Sequence, residues 1–221
     1  MQLINLHTHR VKNDGEIQIQ NLFAQDLSHT KPDFLFSAGL HPWHIEKVNP
    51  EECFEAIERA SDLENMLAVG ECGLDRSIST DFSLQEHCFK KQIQIAVNKN
   101  KPLIIHCVRA YSDLEKLKKE TKSDIPWIIH GYQGNLETTQ SLIRHGFYFS
   151  VGESLLKNDS RQKILRLIPL ERLFLETDDR DLSIQQVYLM AAQMLILDER
   201  ILGKVIFNNF RTLFGAVQLN L

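Results

Sequence analysis

Short apolar, β-rich runs recur along the whole chain, and amphipathic stretches separate them. Runs at Leu3–Leu6, Phe34–Ser37, Met66–Val69, Leu103–Ile105, Trp127–Ile129, Phe147–Phe149, Leu173–Leu175 and Val205–Phe207 predict eight strands. Because these runs are continuous, they suit parallel strands buried on both faces. Helical signals fall between them. Asn49-Pro50-Glu51-Glu52 combines an N-cap, a proline at the first helical position and acidic residues at the positive end of the dipole. Phe54, Ile57 and Ala60 follow at helical spacing. Phe82, Phe89, Ile93 and Ala96 form a second stripe, closed by Asn98–Pro102. Leu136–Arg144 stops before Gly146, as a helix with a left-handed residue after its end does. Ile184, Val187, Tyr188, Ala191 and Leu195 give a further long stripe.

Eight strand signals in 221 residues amount to about 28 residues per repeat, close to a minimal βα unit and below the length typical of a complete barrel. No linker or low-complexity segment breaks the series. The expectation is an α/β protein with one domain over 1–221, a single (β/α)8 TIM-type barrel with short loops and room for distortion. An open doubly wound sheet alternates in the same way.

Composition narrows the classes. Hydrophobic residues make up 43% and charged residues 24%, an ordinary globular balance that argues against a disordered or fibrous chain. No apolar run reaches the roughly 18 residues of a membrane span, and the first residues lack the basic and long apolar regions of a signal peptide. The net charge of −4 excludes nucleic-acid binding by gross positive charge, although a local site or bound metal can supply it. Cys53, Cys72, Cys88 and Cys107 form no Cys-x-x-Cys pair, which argues against a zinc finger or dithiol motif; their sparse use suits the cytoplasm.

The residues after the strand signals carry the chemistry. His7-Thr8-His9, Gly70-Glu71, His106, His130 and Glu176-Thr177-Asp178 each follow a different run. In a barrel of this type the active site forms at the C-terminal ends of the strands. The period of two in His7-x-His9 turns both imidazoles to one face. Imidazoles and carboxylates are ligands for zinc, manganese and related divalent ions, and the set exceeds what one tetrahedral ion needs, so two ions with a bridging carboxylate are expected. A lone histidine at a strand end is more often a satisfied polar residue, and Glu71 or Asp178 could simply cap a helix. The joint pattern decides for a metal centre.

These segments resemble the TatD-like metal-dependent hydrolases, a branch of the amidohydrolase-type barrels. The resemblance runs over Asn5-Leu6-His7-Thr8-His9, Gly39-Leu40-His41-Pro42, Val69-Gly70-Glu71-Cys72-Gly73-Leu74-Asp75, Gln85, Phe89 and Gln92, Pro102–His106, Ile129–Gly134 and Leu175–Asp178. It implies that His7, His9 and Asp178 hold one ion, that His106 and His130 hold the other, and that Glu71 bridges them. Asp178 is also implied as the group that takes a proton from the attacking water, and Glu71 and Asp178 as the catalytic carboxylates. No lysine ends the fourth run, so a carbamylated lysine is not indicated. The reaction implied is metal-dependent phosphodiester hydrolysis, as in a deoxyribonuclease, with zinc, magnesium or manganese as the cofactor and DNA or a small phosphodiester as the partner.

Several positions depart from the family pattern. Asn5 replaces an aspartate before the histidine pair, Cys107-Val108-Arg109 replaces Ser-Arg-Asp, Gly131-Tyr132-Gln133 replaces a Cys-Phe-Ser stretch, and Asp179-Arg180 replaces Ser-Pro. The metal positions are kept and the changes fall around the substrate. His41 and Arg109 are the candidate substrate contacts. Trp43 could stack on a base or pack beneath its loop. His44 reads as surface, and His29, His87 and His145 carry no chemistry in this reading. Lys90-Lys91, Lys116 and Lys118-Lys119 read as solvated helix faces. Two other functions remain open: hydrolysis of an amide, ester or lactone by the same metal site, and a non-catalytic barrel subunit.

Overall fold

The structure, a computed structural model, describes residues 2–10, 16–27, 32–157 and 161–215. Its strands are β1 (Ile4–Thr8), β2 (Ile17–Phe23), β3 (Phe36–Gly39), β4 (Met66–Asp75), β5 (Leu103–Val108), β6 (Trp127–Ile129), β7 (Tyr148–Val151) and β8 (Leu173–Leu175). The helices are α1 (Pro50–Ala60), α2 (Phe82–Asn98), α3 (Tyr111–Thr121), α4 (Leu136–Arg144), α5 (Glu153–Leu156), α6 (Gln162–Leu167), α7 (Ile184–Leu195) and α8 (Glu199–Phe214). The strands lie in the sheet in chain order, β1 to β8. Contacts group the chain into one unit of residues 1–20 with 129–221 and another of residues 21–128.

In the first unit β1 pairs in parallel with β2, β7 pairs in parallel with β8, and a bridge between Thr8 and Asp178 joins the end of β1 to the chain just after β8. Tyr188 on α7 fastens β1 from outside: its hydroxyl donates to the carbonyl of Ile4 and accepts from the Ile4 amide, at 3.2 and 3.1 Å. Ser183 and Gln186 close a reciprocal capping box at the start of α7.

In the second unit β3, β4 and β5 pair in parallel. All ten residues of β4 are buried, which explains the density of small residues there. A Cβ at Gly70 would lie 2.2 Å from the carbonyl oxygen of Ile104, and one at Gly73 would lie 2.1 Å from that of His106. Both glycines have φ of +145°, a conformation that L side chains rarely adopt. The Asn49 side chain caps α1, with Pro50 at its first position, and Phe54 and Ile57 point into the core. Phe89 on α2 meets the buried Trp127 edge-on, with ring centroids 5.7 Å apart. No helix among the described residues is long and apolar enough to cross a membrane.

Seven of the expected strands are present, Trp127–Ile129 and Leu173–Leu175 with the expected bounds and the other five with shifted ends, and one is not a strand. Val205–Phe207 lies within α8, where Leu202, Ile206 and Phe210 are buried at a four-residue interval behind the Asp198 cap. The strand that completes the set is β2, whose burial alternates, with Ile17, Ile19 and Asn21 buried and Gln18 and Gln20 only partly so. It carries the period-two pattern of a strand with one wetter face, which a search for continuous apolar runs passes over. Glu71 and His106 lie inside β4 and β5 rather than after them.

Candidate metal centre

In the first unit β1 delivers His7, and the chain just beyond it delivers His9. The backbone holds this pair against Asp178: the His9 amide donates to the Asp178 carbonyl at 3.1 Å, and the Asp178 amide donates to the His7 carbonyl at 3.0 Å. Asn5 braces the same corner. Its amide nitrogen donates to Oγ1 of Thr177, and its carbonyl oxygen accepts from the Thr177 amide, at 2.8 and 3.0 Å. Nε2 of His7 and Nε2 of His9 stand 3.7 and 3.6 Å from Oδ1 of Asp178. Ligands about 2.1 Å from a common tetrahedral ion are about 3.4 Å from one another. The spacing is therefore that of a ligand triad around one position.

His130 follows β6, and its ring lies 4.3 Å from that of His7. Nδ1 of His130 faces Oε1 of Glu176 at 3.4 Å, and the same oxygen accepts from the amide of Gly131 at 2.7 Å. Glu176 is completely buried. Burial alone would raise its carboxyl, but the hydrogen bond from His130 and the proximity of His130 and His7 outweigh it and hold the group below the usual glutamate range. A carboxylate against one ring nitrogen of a histidine fixes the tautomer and leaves the other nitrogen to act as a ligand.

The second unit repeats this device. Nδ1 of His106 lies 3.1 Å from Oε1 of Glu71, while its Nε2 lies 3.0 Å from Oδ2 of Asp75. The other oxygen of Asp75 accepts from the amide and hydroxyl of Ser77, and Oδ2 also accepts from the Trp43 indole. Burial pushes the Asp75 carboxyl up, but the hydrogen bonds from His106, Ser77 and Trp43 prevail and hold it far below the ordinary carboxylate range. His41 approaches Glu71 from another side, with Nε2 3.0 Å from Oε1. Its Nδ1 accepts from the Trp43 amide at 3.1 Å, so the neutral ring carries its proton on Nε2 and donates to Glu71. The Glu71 amide donates to Oδ1 of Asn21 at 2.7 Å.

Two buried glutamines of α2 hold the loops of this unit. Gln92 bonds both the amide and the carbonyl of Leu40, next to His41. Gln85 does the same for Asp75. The ligand atoms of His7, His9 and Asp178 lie within 4.8 Å of one another, as do those of His130, Glu176 and Asp178, and those of His41, Glu71 and His106. The donor set is imidazole and carboxylate throughout, which fits a divalent ion of the zinc, manganese or magnesium kind.

A family model described as TatD-related DNase matches residues 8–215. The chain belongs to this family. An uncharacterized metal-dependent hydrolase of Buchnera aphidicola is 32% identical over 81% of this chain and 76% of its own length. A protein named as a 3′-5′ ssDNA/RNA exonuclease TatD, from Pantoea vagans, is 30% identical over 74% of this chain and 65% of its own length. The chain thus spans just under two thirds of that TatD exonuclease. Among solved structures, a TatD homologue of Escherichia coli K12 superposes with a TM-score of 0.83 at 21% identity, over 97% of this chain and 98% of that one. A TatD-family hydrolase of Entamoeba histolytica gives 0.79 at 15% identity over 97% of this chain. The fold is the eight-stranded (β/α)8 barrel type of these TatD structures.

Every expected ligand of this TatD-family chain falls in one of the donor groups. Arg109 is exposed at the end of β5 with φ of +54°. His44 pairs with Gln25, His87 is exposed on α2 and His145 bonds the carbonyl of Ser141; His29 lies outside the described residues. Three residues had no role assigned from sequence: Asp75, Glu176 and Asn21. The first two sit inside the quoted Gly-Glu-x-Gly-Leu-Asp and Glu-Thr-Asp segments, and the carboxylates there were signal enough to suggest them. Asn21 lies on the overlooked β2 and gave no such signal.

Proposed function

We propose that this chain is a divalent-metal-dependent phosphodiesterase that shortens single-stranded nucleic acid. The observation that carries the reading is the triad of His7, His9 and Asp178, clamped by backbone hydrogen bonds at the spacing of ligands to one ion. In this proposal the triad would hold one ion; the family resemblance implies that His106, His130 and Glu71 would serve a second. Bound divalent ions supply a nucleophile from water at neutral pH and offset charge on the phosphoryl oxygens.

The chain's own groups do the rest. Glu176 and Asp75 orient His130 and His106 and fix the nitrogen each presents. Asp178, partly exposed beside His9, accepts the proton of the attacking water. His41 holds Glu71 in place by donation from Nε2, and Arg109 offers an exposed cation to a phosphate. The cytoplasm is the proposed compartment, in keeping with four free, buried thiols.

The test is a 5′-labelled single strand incubated with magnesium, manganese or zinc, with and without a chelator, beside a panel of small esters, amides and lactones. The expected result is metal-dependent shortening of the strand that stops on chelation. Efficient carbonyl cleavage with no loss of nucleotides would overturn the phosphodiesterase reading.

A further inference from the structure

Trp43 is a large apolar side chain left 53% exposed, yet its ring is not free to turn. Its indole N–H donates to Oδ2 of Asp75 at 2.9 Å, and Asp75 is itself buried and fixed by Ser77 and His106. The indole also meets the rings of His41 and His106 edge-on, with centroids 4.8 and 5.8 Å away. One edge is therefore tethered to a buried carboxylate and braced by two site histidines, while much of the ring surface stays open to solvent. This excludes the reading of Trp43 as packing beneath its loop. Burial alone does not account for the position, because an indole stabilised by packing hides its faces. A charge-assisted hydrogen bond accounts for it by holding the rotamer while leaving the ring exposed.

We propose that Trp43 is a stacking platform for a nucleobase of the substrate strand and thereby sets where the strand is gripped next to His106. This rests on the nucleic-acid reading given above. A ring immobilised before binding loses little conformational entropy when a base lies on it, and stacking of this kind tolerates any base because every base has a π-face. The 5.8 Å between the Trp43 and His106 rings is less than two stacked-base spacings of about 3.4 Å, so a base on the platform keeps its own or the adjoining phosphate near the donors of β4 and β5. Asp75 serves both tasks, since the same oxygen receives the platform's N–H and the ligand's N–H.

The experiment uses the full chain with magnesium and cleavage-resistant phosphorothioate pentathymidylates, one intact and others lacking a single base at each position in turn. Binding is read by titration and by the fluorescence of Trp43, the other tryptophan, Trp127, being fully buried. The expected result is quenching on binding and a loss of about 5- to 150-fold in affinity when one particular base is absent. In Trp43→Ala the intact strand binds as weakly as that abasic strand and the discrimination disappears, whereas Trp43→Phe, which keeps a ring face but lacks the tether, recovers part of it. Circular dichroism of Trp127 checks that each variant is folded. Equal affinity for intact and all abasic strands in the parent chain, or unchanged discrimination in Trp43→Ala, overturns the platform while leaving the phosphodiesterase reading in place. No binding of any of these strands, together with no metal-dependent shortening of an unmodified strand, overturns both.

Discussion

Replacing Asp75 with asparagine removes one charge and turns one of two acceptor oxygens into a donor, with almost no change in shape. Four donors converge on that carboxylate: Nε2 of His106 at 3.0 Å and Nε1 of Trp43 at 2.9 Å on Oδ2, and the Ser77 amide and hydroxyl at 2.8 and 2.5 Å on Oδ1. An amide NH2 cannot accept, so one side loses its partners. Turned toward His106, it strands the indole N–H and forces the imidazole into its other tautomer. Turned toward Ser77, it strands only the backbone amide, because the hydroxyl can rotate to accept. The second arrangement is cheaper, at about 1.5–3 kcal/mol for one charge-assisted hydrogen bond. It leaves His106 against a neutral carbonyl, a weaker acceptor.

Loss of such an outer partner lowers metal affinity or activity by about 10- to 100-fold, and that is the expected fall for Asp75→Asn in competition with a chromophoric chelator. Urea unfolding of the metal-free chain is expected to show the loss of about 1.5–3 kcal/mol. Because hydrogen bonds from His106, Ser77 and Trp43 overcome the upward push of burial and depress the native carboxyl, the stability difference is complete above about pH 4. It shrinks as acid takes the native chain through that depressed value. Unchanged metal affinity in a destabilised variant would show that Asp75 only braces its loop and would refute the orienting role.

Other substitutions have equally definite outcomes. His7→Ala and His9→Ala are expected to lower metal content and rate together, whereas Asp178→Asn lowers rate more than content; full activity in Asp178→Asn contradicts its role as proton acceptor. Gly70→Ala places a methyl 2.2 Å from the Ile104 carbonyl oxygen at a φ of +145°, so a loss above about 3 kcal/mol is expected in urea unfolding, and a loss under about 1 kcal/mol contradicts the packing argument. Gln92→Ala leaves the buried amide and carbonyl of Leu40 without the side chain that satisfies both. The cost, measured in the same way, is expected at about 1–3 kcal/mol for each stranded group.

Much of the fold was legible because parallel strands buried on both faces read as continuous apolar runs. Met66–Val69, Leu103–Ile105, Trp127–Ile129 and Leu173–Leu175 all lie in strands. The same rule failed where its premise failed. In β2 glutamines occupy alternate, wetter positions, so no run exists to find. At Val205–Phe207 three apolar residues in a row sit on a helix whose true signal is the four-residue interval of Leu202, Ile206 and Phe210.

The donors were legible for a different reason. Histidines and carboxylates at or just after the apolar runs stand out because a barrel of this type builds its site from such positions, whatever the loops between them do. Their supporting groups were harder to read. Asp75 bonds His106 from thirty-one residues away, and Glu176 meets His130 across the separation of two strands in sequence. Such partnerships depend on tertiary position and leave no local period in the chain. The open choice at Trp43 was of the same kind, since only the location of Asp75 decides between a buried indole and a tethered, exposed one.

Metal content after equilibration with zinc, manganese or magnesium, measured by elemental analysis against protein concentration, tests the account most directly. About two tightly held divalent ions per chain are expected, with a marked loss in His9→Ala. A correctly folded chain that retains no divalent ion from any of the three would contradict it.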